Sequence, residues 1–234
     1  MEAVILAGGL GTRLRSVLSD VPKPLAPING RPFLEYQFDY WIAQGIRRFI
    51  LSVGYKHELI QAHFGNSYTG AEILYSVEKE PLGTGGGLLL ALQKLLTPGP
   101  FLILNGDTFF AVSLAALKQL HMETSAVMML ALRRVAVNNR YGTVELTEDA
   151  RITGFRSVAD SKESTINGGV YLTQPDAFLD LGCIVGQKIS LEDEILPRLL
   201  EIGKPVYGLM ADGKFVDIGI PEDYLNAAFV LSPR

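Results

Sequence analysis

A glycine-rich run carrying one cation, Gly8-Gly9-Leu10-Gly11-Thr12-Arg13, follows directly on the apolar stretch Ala3–Ala7. Glycines let a backbone approach a phosphate closely and turn its N–H groups inward, and Arg13 adds a planar cation suited to phosphate. Spacing excludes two familiar phosphate loops. A Walker loop would end in Gly-Lys-Ser/Thr, which is absent, and a dinucleotide fingerprint through Gly9 and Gly11 would need a third glycine where Leu14 stands. Taken alone, the run is also compatible with a plain glycine turn beside a surface arginine. Pro22-Lys23-Pro24 lies in the same loop, with two prolines stiffening the chain around a second cation.

Two acidic positions fit a divalent cation. Asp107 closes Asn105-Gly106-Asp107 behind the apolar run Phe101–Leu104, and Asp217 interrupts the apolar pattern Phe215-Val216-Asp217-Ile218-Gly219. Mg²⁺ often takes only one or two carboxylates and completes its shell with water and phosphate oxygens. A charge inside an apolar pattern is costly without a partner. Each aspartate alone is equally compatible with a turn or cap, and it is the position of both behind apolar strands, in a chain with a phosphate loop, that favours the metal reading. The segment Glu80-Pro81-Leu82-Gly83-Thr84-Gly85-Gly86-Gly87 offers a flat backbone for a base and two acceptor oxygens on Glu80. His57, His63 and His121 share no ligand spacing, no Gly-x-Ser-x-Gly elbow occurs, and the lone Cys183 sits among apolar neighbours.

These residues need a scaffold that brings strand ends together. Buried strands are expected at Ala3–Ala7, Phe49–Val53, Ala71–Val77, Phe101–Leu104 and Ser125–Leu132. Between them, helices are expected around Leu34–Ile42, at His57–Phe64, at Gly87–Leu96 and at Ser113–His121, with Ser113 as cap. This β-α-β-α-β rhythm predicts a parallel sheet with helices on both faces. Beyond residue 133 the pattern shifts to shorter strands (Gly142–Leu146, Ile152–Phe155, Ile166–Leu172), an amphipathic helix Leu191–Ile202, strands Val206–Met210 and Phe215–Ile218, and a final helix Pro221–Leu231. One α/β domain over residues 1–234 is expected, with the second half forming a mixed-sheet lid over the first.

The 234 residues are 48% hydrophobic, ample for one core, and the net charge of −4 lacks the basic stripe that nucleic-acid binding requires. The apolar run at the N-terminus, about five residues after Glu2, is too short for a signal peptide, and nothing approaches a membrane span. With a single cysteine, these features predict a cytoplasmic protein that binds neither nucleic acid nor membrane.

Taken together, the motifs resemble the sugar-1-phosphate nucleotidyltransferase family. The matching pieces are Leu6–Leu14, Pro22–Pro24, Glu80–Thr84, Asn105–Asp107, Asn167-Gly168-Gly169-Val170-Tyr171 and Asp217–Gly219, in the family's order across nearly the whole chain. The resemblance implies a Rossmann-like three-layer α/β fold with a mixed, mainly parallel sheet. It implies a nucleotide-binding half over about residues 1–132 and a sugar-binding half over 133–234. The implied reaction is attack of a sugar 1-phosphate oxygen on the α-phosphorus of an NTP, with release of pyrophosphate. By the same resemblance Leu6, Gly8, Gly9, Gly11, Thr12, Glu80, Gly83 and Thr84 bind the nucleotide. Arg13 and Lys23 are catalytic, Asp107 and Asp217 hold Mg²⁺, and Gly142, Asn167 and Gly169 border the sugar.

Pro27–Glu35, Ser52–Lys56 and Asp217–Tyr224 are most similar to members that use GTP and a heptose 1-phosphate to supply surface glycan synthesis. UTP with N-acetylmuramic acid 1-phosphate, and GTP with mannose 1-phosphate, are the alternatives. A non-catalytic nucleotide sensor is disfavoured by the presence of Arg13, Lys23, Asp107 and Asp217. The resemblance also allows a homodimer. One departure stands out. The family often places Glu-Lys soon after the phenylalanine matched by Phe155, whereas this chain reads Phe155-Arg156-Ser157-Val158, leaving Arg156 or Lys162 as candidate substitutes.

Overall fold

The computed structural model describes residues 1–9, 11, 14, 17–18, 21–136, 142–156 and 163–232. Strand β1 (Glu2–Ala7) leads through a loop and a 3-10 turn (Lys23–Leu25) to the small hairpin of β2 (Pro27–Ile28) and β3 (Arg31–Pro32). Next come α1 (Phe33–Ala43), β4 (Arg48–Val53), α2 (His57–Phe64), β5 (Ser67–Tyr68), β6 (Ala71–Val77), α3 (Gly83–Leu92), β7 (Phe101–Asn105) and β8 (Thr108–Phe110). The remainder contributes α4 (Leu114–Thr124), β9 (Met128–Ala136), β10 (Thr143–Leu146), β11 (Ile152–Arg156), β12 (Glu163–Thr173), α5 (Leu196–Glu201), β13 (Val206–Met210), β14 (Phe215–Asp217) and α6 (Pro221–Val230).

Strands β7, β1, β4 and β6 lie side by side in that order and run parallel. Both faces of β1, β4 and β7 are buried, which is why their sequences are continuous apolar runs. Alternate residues of β1 serve different layers. Ile5 packs with Phe38 and Trp41 of α1, Ile60 and Phe64 of α2 and Leu117 of α4, whereas Val4 packs with Leu88 of α3 and Leu196 and Leu199 of α5. The expected three-layer α/β arrangement is therefore present. The chain runs from β1 outward to β4 and β6, then crosses back to β7 on the other side of β1. Such a reversal opens a crevice at the carboxyl ends of the strands, where α/β sheets bind ligands.

The second half does not lie over the first as a lid. It continues the same sheet, because β12 pairs antiparallel with β7, setting Val170 opposite Leu104 and Thr173 opposite Phe101. Strands β9 and β13 extend the sheet beyond β12, and β10 and β11 form its far edge. The physical reason lies in β12, whose Tyr171, Leu172 and Thr173 are fully buried and must be covered on both faces.

Two helices also differ from expectation. Helix α3 begins at Gly83 and ends at Leu92. Its glycines have poor intrinsic propensity, but the Gly85 and Gly86 N–H groups both donate to the Ile189 carbonyl at 3.0 Å, a tertiary contact that outweighs propensity. The segment expected as one helix from Leu191 opens instead with a π-turn, Leu191–Ile195, before α5.

A third, smaller core cluster joins Ala26, Ile28 and Phe33 to Phe109, Val216, Ile218 and Ala227. It ties the loop that follows β1 to the β8–β14 pair and α6. Among the described residues no helix is long and apolar enough to cross a membrane.

Candidate active site

The crevice at the β1–β7 reversal is a cleft of about 250 Å³. Its walls include Leu6, Gly8 and Gly9 after β1, Lys23 and Pro24, Ser52 of β4, Glu78 after β6, Gly83 and Thr84 at the start of α3, and Asn105-Gly106-Asp107 after β7. Motifs up to 101 residues apart in sequence, Leu6 and Asp107, are thus brought to one place because their parallel strands end side by side.

Close packing explains the glycines. A Cβ on Gly106 would stand 2.6 Å from the Leu6 carbonyl oxygen, whose bond from the Gly106 N–H is 2.9 Å long. The loops after β1 and β7 therefore meet backbone to backbone. A Cβ on Gly8 would collide with the Glu78 carboxylate. Gly11 has a left-handed φ of 61° and lies against the Lys23 stem, where a Cβ would sit 3.2 Å from Cγ. Thr12 and Arg13 lie outside the described residues, as does Lys162.

Lys23 opens the 3-10 turn behind Pro22, which has extended geometry and, like Pro24, is buried. The turn aims Lys23 across the cleft, where Nζ donates to Asp107 Oδ2 at 2.8 Å. With side-chain exposures of only 14% and 33%, this pair is shielded enough to matter more than a solvated surface pair. Buried Gln37 of α1 fixes the turn that bears Asp107, donating to the carbonyls of Asn105 at 3.1 Å and Thr108 at 3.0 Å.

Asp217 reaches the same region through β14. It pairs with Thr108, and the next residue, Ile218, donates its N–H to the Asp107 carbonyl at 2.9 Å. Asp217 Oδ1 also accepts from the Gly219 N–H at 2.6 Å, which orients the carboxylate. Among the described residues no group of three or more His, Cys, Asp or Glu side chains converges as a metal cage. Asp107 lines the cleft, and Asp217 stands on the adjoining strand whose backbone is bonded to it. Hard carboxylate oxygens of this kind suit a divalent cation that completes its shell with water and phosphate oxygens.

At the base side the structure separates two glutamates. Glu78 lines the cleft, accepting from Ser52 Oγ and from the Leu82 N–H, each at 3.0 Å. Glu80 does not line it. It is exposed and borders a shallower adjoining recess with Gly54, Tyr55 and Lys79. Proline at 81 and the α3 start turn the chain after β6, so the carboxylate nearest the strand end faces inward. The first-turn amides of Gly85 and Gly86 are already bonded to Ile189, so α3 presents the cleft with a wall more than with phosphate donors.

The sugar-side candidates meet at an irregularity in β12. Its pairing with β9 shifts register between Asn167 and Tyr171, and Gly169 adopts φ 71° against Asn105, where a Cβ would stand 3.0 Å away. Gly169 thereby lies directly behind Asn105, a residue of the cleft wall, and Asn167 is tied to it through the Gly169 N–H. Thr143 of β10 lies opposite Ile166, the residue before Asn167, and Gly142 precedes Thr143 with the Arg156 carbonyl oxygen beside it. Arg156 is not aimed at the cleft. It is exposed and pairs with Glu145 across β10–β11 at 2.6 Å.

Sequence reading does not single out Glu78, Gln37 or Glu192. Asn105 enters it only within a motif, and so does Tyr171. Tyr171 is fully buried, and burial first, then the nearby Glu192 carboxylate, holds its phenol well above the usual range. A signal existed for Glu78 alone: a carboxylate immediately after an apolar strand belongs at the carboxyl edge of the sheet.

The model of the Nucleotidyl transferase family matches residues 2–232. The chain is 46% identical to the D-glycero-alpha-D-manno-heptose 1-phosphate guanylyltransferase of Aneurinibacillus thermoaerophilus, over 97% of this chain and 96% of that one. It is 42% identical to the enzyme of the same name from Campylobacter jejuni, over 97% and 98%. The crystal structure of HddC from Yersinia pseudotuberculosis complexed with GMP-PN superposes with a TM-score of 0.84 at 31% identity, covering 99% of each chain.

Proposed function

Because the chain belongs to the nucleotidyl transferase family, we propose that it transfers guanylate from GTP to D-glycero-α-D-manno-heptose 1-phosphate, releasing pyrophosphate. A phosphate oxygen of the sugar forms a bond to the α-phosphorus. The bond from that phosphorus to the oxygen bridging the β-phosphate breaks, and pyrophosphate leaves with the electron pair. No protein nucleophile is needed, so catalysis rests on positioning and on charge stabilisation.

The observation that carries this reading is the Lys23–Asp107 pair, a cation and a carboxylate 2.8 Å apart at the rim of a cleft built from strand ends. Backbone groups of Gly8, Gly9 and Gly11 hold the triphosphate, with Thr12 beside them. Lys23, joined by Arg13, neutralises charge that builds on the phosphates during transfer. Asp107 and Asp217 would hold Mg²⁺, which would supply charge screening and polarisation of the phosphates. Leu6, Gly83 and Thr84 border the base. Guanine presents adjacent N1–H and N2–H donors, and Glu78, whose oxygens each retain acceptor capacity, takes the reading role that the sequence suggested for Glu80. Asn167, Gly169 and Gly142 border the sugar. The two roles divide the chain near residue 132 within one continuous sheet. A triphosphate substrate and a single cysteine fit a cytoplasmic enzyme supplying a GDP-sugar for surface glycans.

The test is product identification. The protein with Mg²⁺ is offered GTP, UTP, ATP and CTP against heptose, mannose and N-acetylmuramic acid 1-phosphates, and the products are read by mass spectrometry and ³¹P NMR. GDP-heptose as the dominant product is expected. UDP-N-acetylmuramic acid, or GDP-mannose in preference to GDP-heptose, would replace this reading.

A further inference from the structure

An unbroken line of hydrogen bonds joins the nucleotide side of the cleft to the sugar side through the protein interior. Thr84 Oγ1 donates to Glu192 Oε2 at 2.6 Å and accepts from the Leu191 N–H at 2.8 Å. Glu192 Oε1 accepts from the Tyr171 hydroxyl at 3.1 Å. That hydroxyl in turn accepts from Asn167 Nδ2 at 2.8 Å, and Asn167 Oδ1 accepts from the Gly169 N–H at 3.0 Å. Both ends of the Asn167 amide are therefore held, and its orientation is set by the hydroxyl behind it.

The line is built at some expense to the fold. Tyr171 has no solvent exposure, and a buried hydroxyl is unfavourable unless its partners are in place. Its acceptor, Glu192, sits on the π-turn Leu191–Ile195, an uncommon geometry found often at functional sites. The segment before that turn is pressed onto the start of α3, where a Cβ on Gly83 would stand 2.7 Å from the Ile189 carbonyl oxygen. Any shift of Thr84 is thus felt by Glu192 both through the side chain and through the backbone.

We propose that Glu192 is a positioning residue which, through Tyr171, orients the Asn167 amide toward the sugar 1-phosphate and couples that subsite to Thr84 on the nucleotide side. The inference rests on the reading of the reaction given above. It assigns a role to two residues outside the substrate-bordering set named above, and any effect of one bound substrate on the affinity for the other is reciprocal.

Tyr171→Phe removes one hydroxyl and keeps the ring. Steady-state kinetics, calorimetric titration of GTP alone and thermal unfolding are compared for the wild type, Tyr171→Phe, Glu192→Gln and the double variant. Tyr171→Phe and Glu192→Gln are each expected to raise KM for the sugar 1-phosphate about tenfold, while Kd for GTP alone stays within about twofold. The double variant is expected to be no worse than either single one, as for residues acting as a unit. Should one of Tyr171→Phe and Glu192→Gln fail to fold, the other supplies the sugar-side readout, with Glu192→Asp as a second variant of the same acceptor. A fall in unfolding temperature with no change in the ratio of the two KM values would overturn the inference and leave the reaction standing. A wild-type protein that neither binds nor turns over GTP would overturn both.

Discussion

The two halves of the sheet place function by different means. In the half built on β7, β1, β4 and β6, the described candidates that line the cleft stand at or just past the carboxyl end of a parallel strand, or in a segment packed against those ends. In the half built on β9 to β13, the candidates depend on a shifted register in β12, a left-handed Gly169 and a π-turn at Leu191–Ile195. The first arrangement converts strand order directly into a site. The second stores its site in local exceptions to regular structure, tied together by buried side chains.

The largest effects should come from the parallel half. Asp107→Asn and Lys23→Met each remove one member of the cleft pair and should lower kcat on the order of 10²–10³-fold, with the fold retained. Pyrophosphate release and circular dichroism measure the two parts. A comparable loss from Gly142→Ala, at the far edge of the sheet, would erase the contrast between the halves. Next in size is base choice. Glu78→Gln should reduce kcat/KM for GTP about 10- to 100-fold, because one acceptor facing the guanine edge becomes a donor, whereas Glu80→Gln should change it less than about threefold. The reverse ranking would return the base-reading role to Glu80.

Glu2 provides a control at the opposite end of β1. Burial pushes its carboxyl up, but hydrogen bonds from Thr97, Arg48 and Leu96 outweigh burial and lower its pKa. A carboxylate lowered in the folded state stabilises the fold above its unfolded value, near 4.5, and that contribution is lost as pH falls through the lower folded value. Glu2→Gln should cost about 1–3 kcal/mol of stability at pH 7 and less in acid, with kcat unchanged, as followed by urea unfolding at several pH values. The smallest effect is expected at Arg156. Its exposed pair with Glu145 is worth little, so Arg156→Ala should alter KM for the sugar 1-phosphate less than about twofold. A tenfold rise would instead make Arg156 the stand-in for the absent Glu-Lys pair.

The same contrast explains what was legible in the sequence. Ala3–Ala7, Phe49–Val53 and Phe101–Leu104 read as buried strands because both faces need apolar residues, and the polar motifs behind them then had to fall at strand ends. Asp217 was readable as a charge that broke an apolar pattern. Glu78 and Glu80 flank one lysine, and only the turn at Pro81 decides which faces the cleft. Nothing in the spacing of Leu191–Ile202 distinguishes a π-turn from a regular helix, so nothing local marks Glu192 among the acids of that segment. The role of Tyr171 is not legible locally, since its hydroxyl acquires meaning only from partners 4 and 21 residues away. The extension of the sheet through β12 was hidden for a similar reason: strand pairing across the β7–β12 seam is a long-range choice that local periodicity does not encode.

The most direct test of the account is pyrophosphate release by wild type and Asp107→Asn side by side, with Mg²⁺, GTP and D-glycero-α-D-manno-heptose 1-phosphate at saturation. The account predicts rapid release by the wild type and a rate lower on the order of 10²–10³-fold for the variant. Equal rates in the two proteins would contradict it, because the Lys23–Asp107 cleft would then not be where the phosphates react.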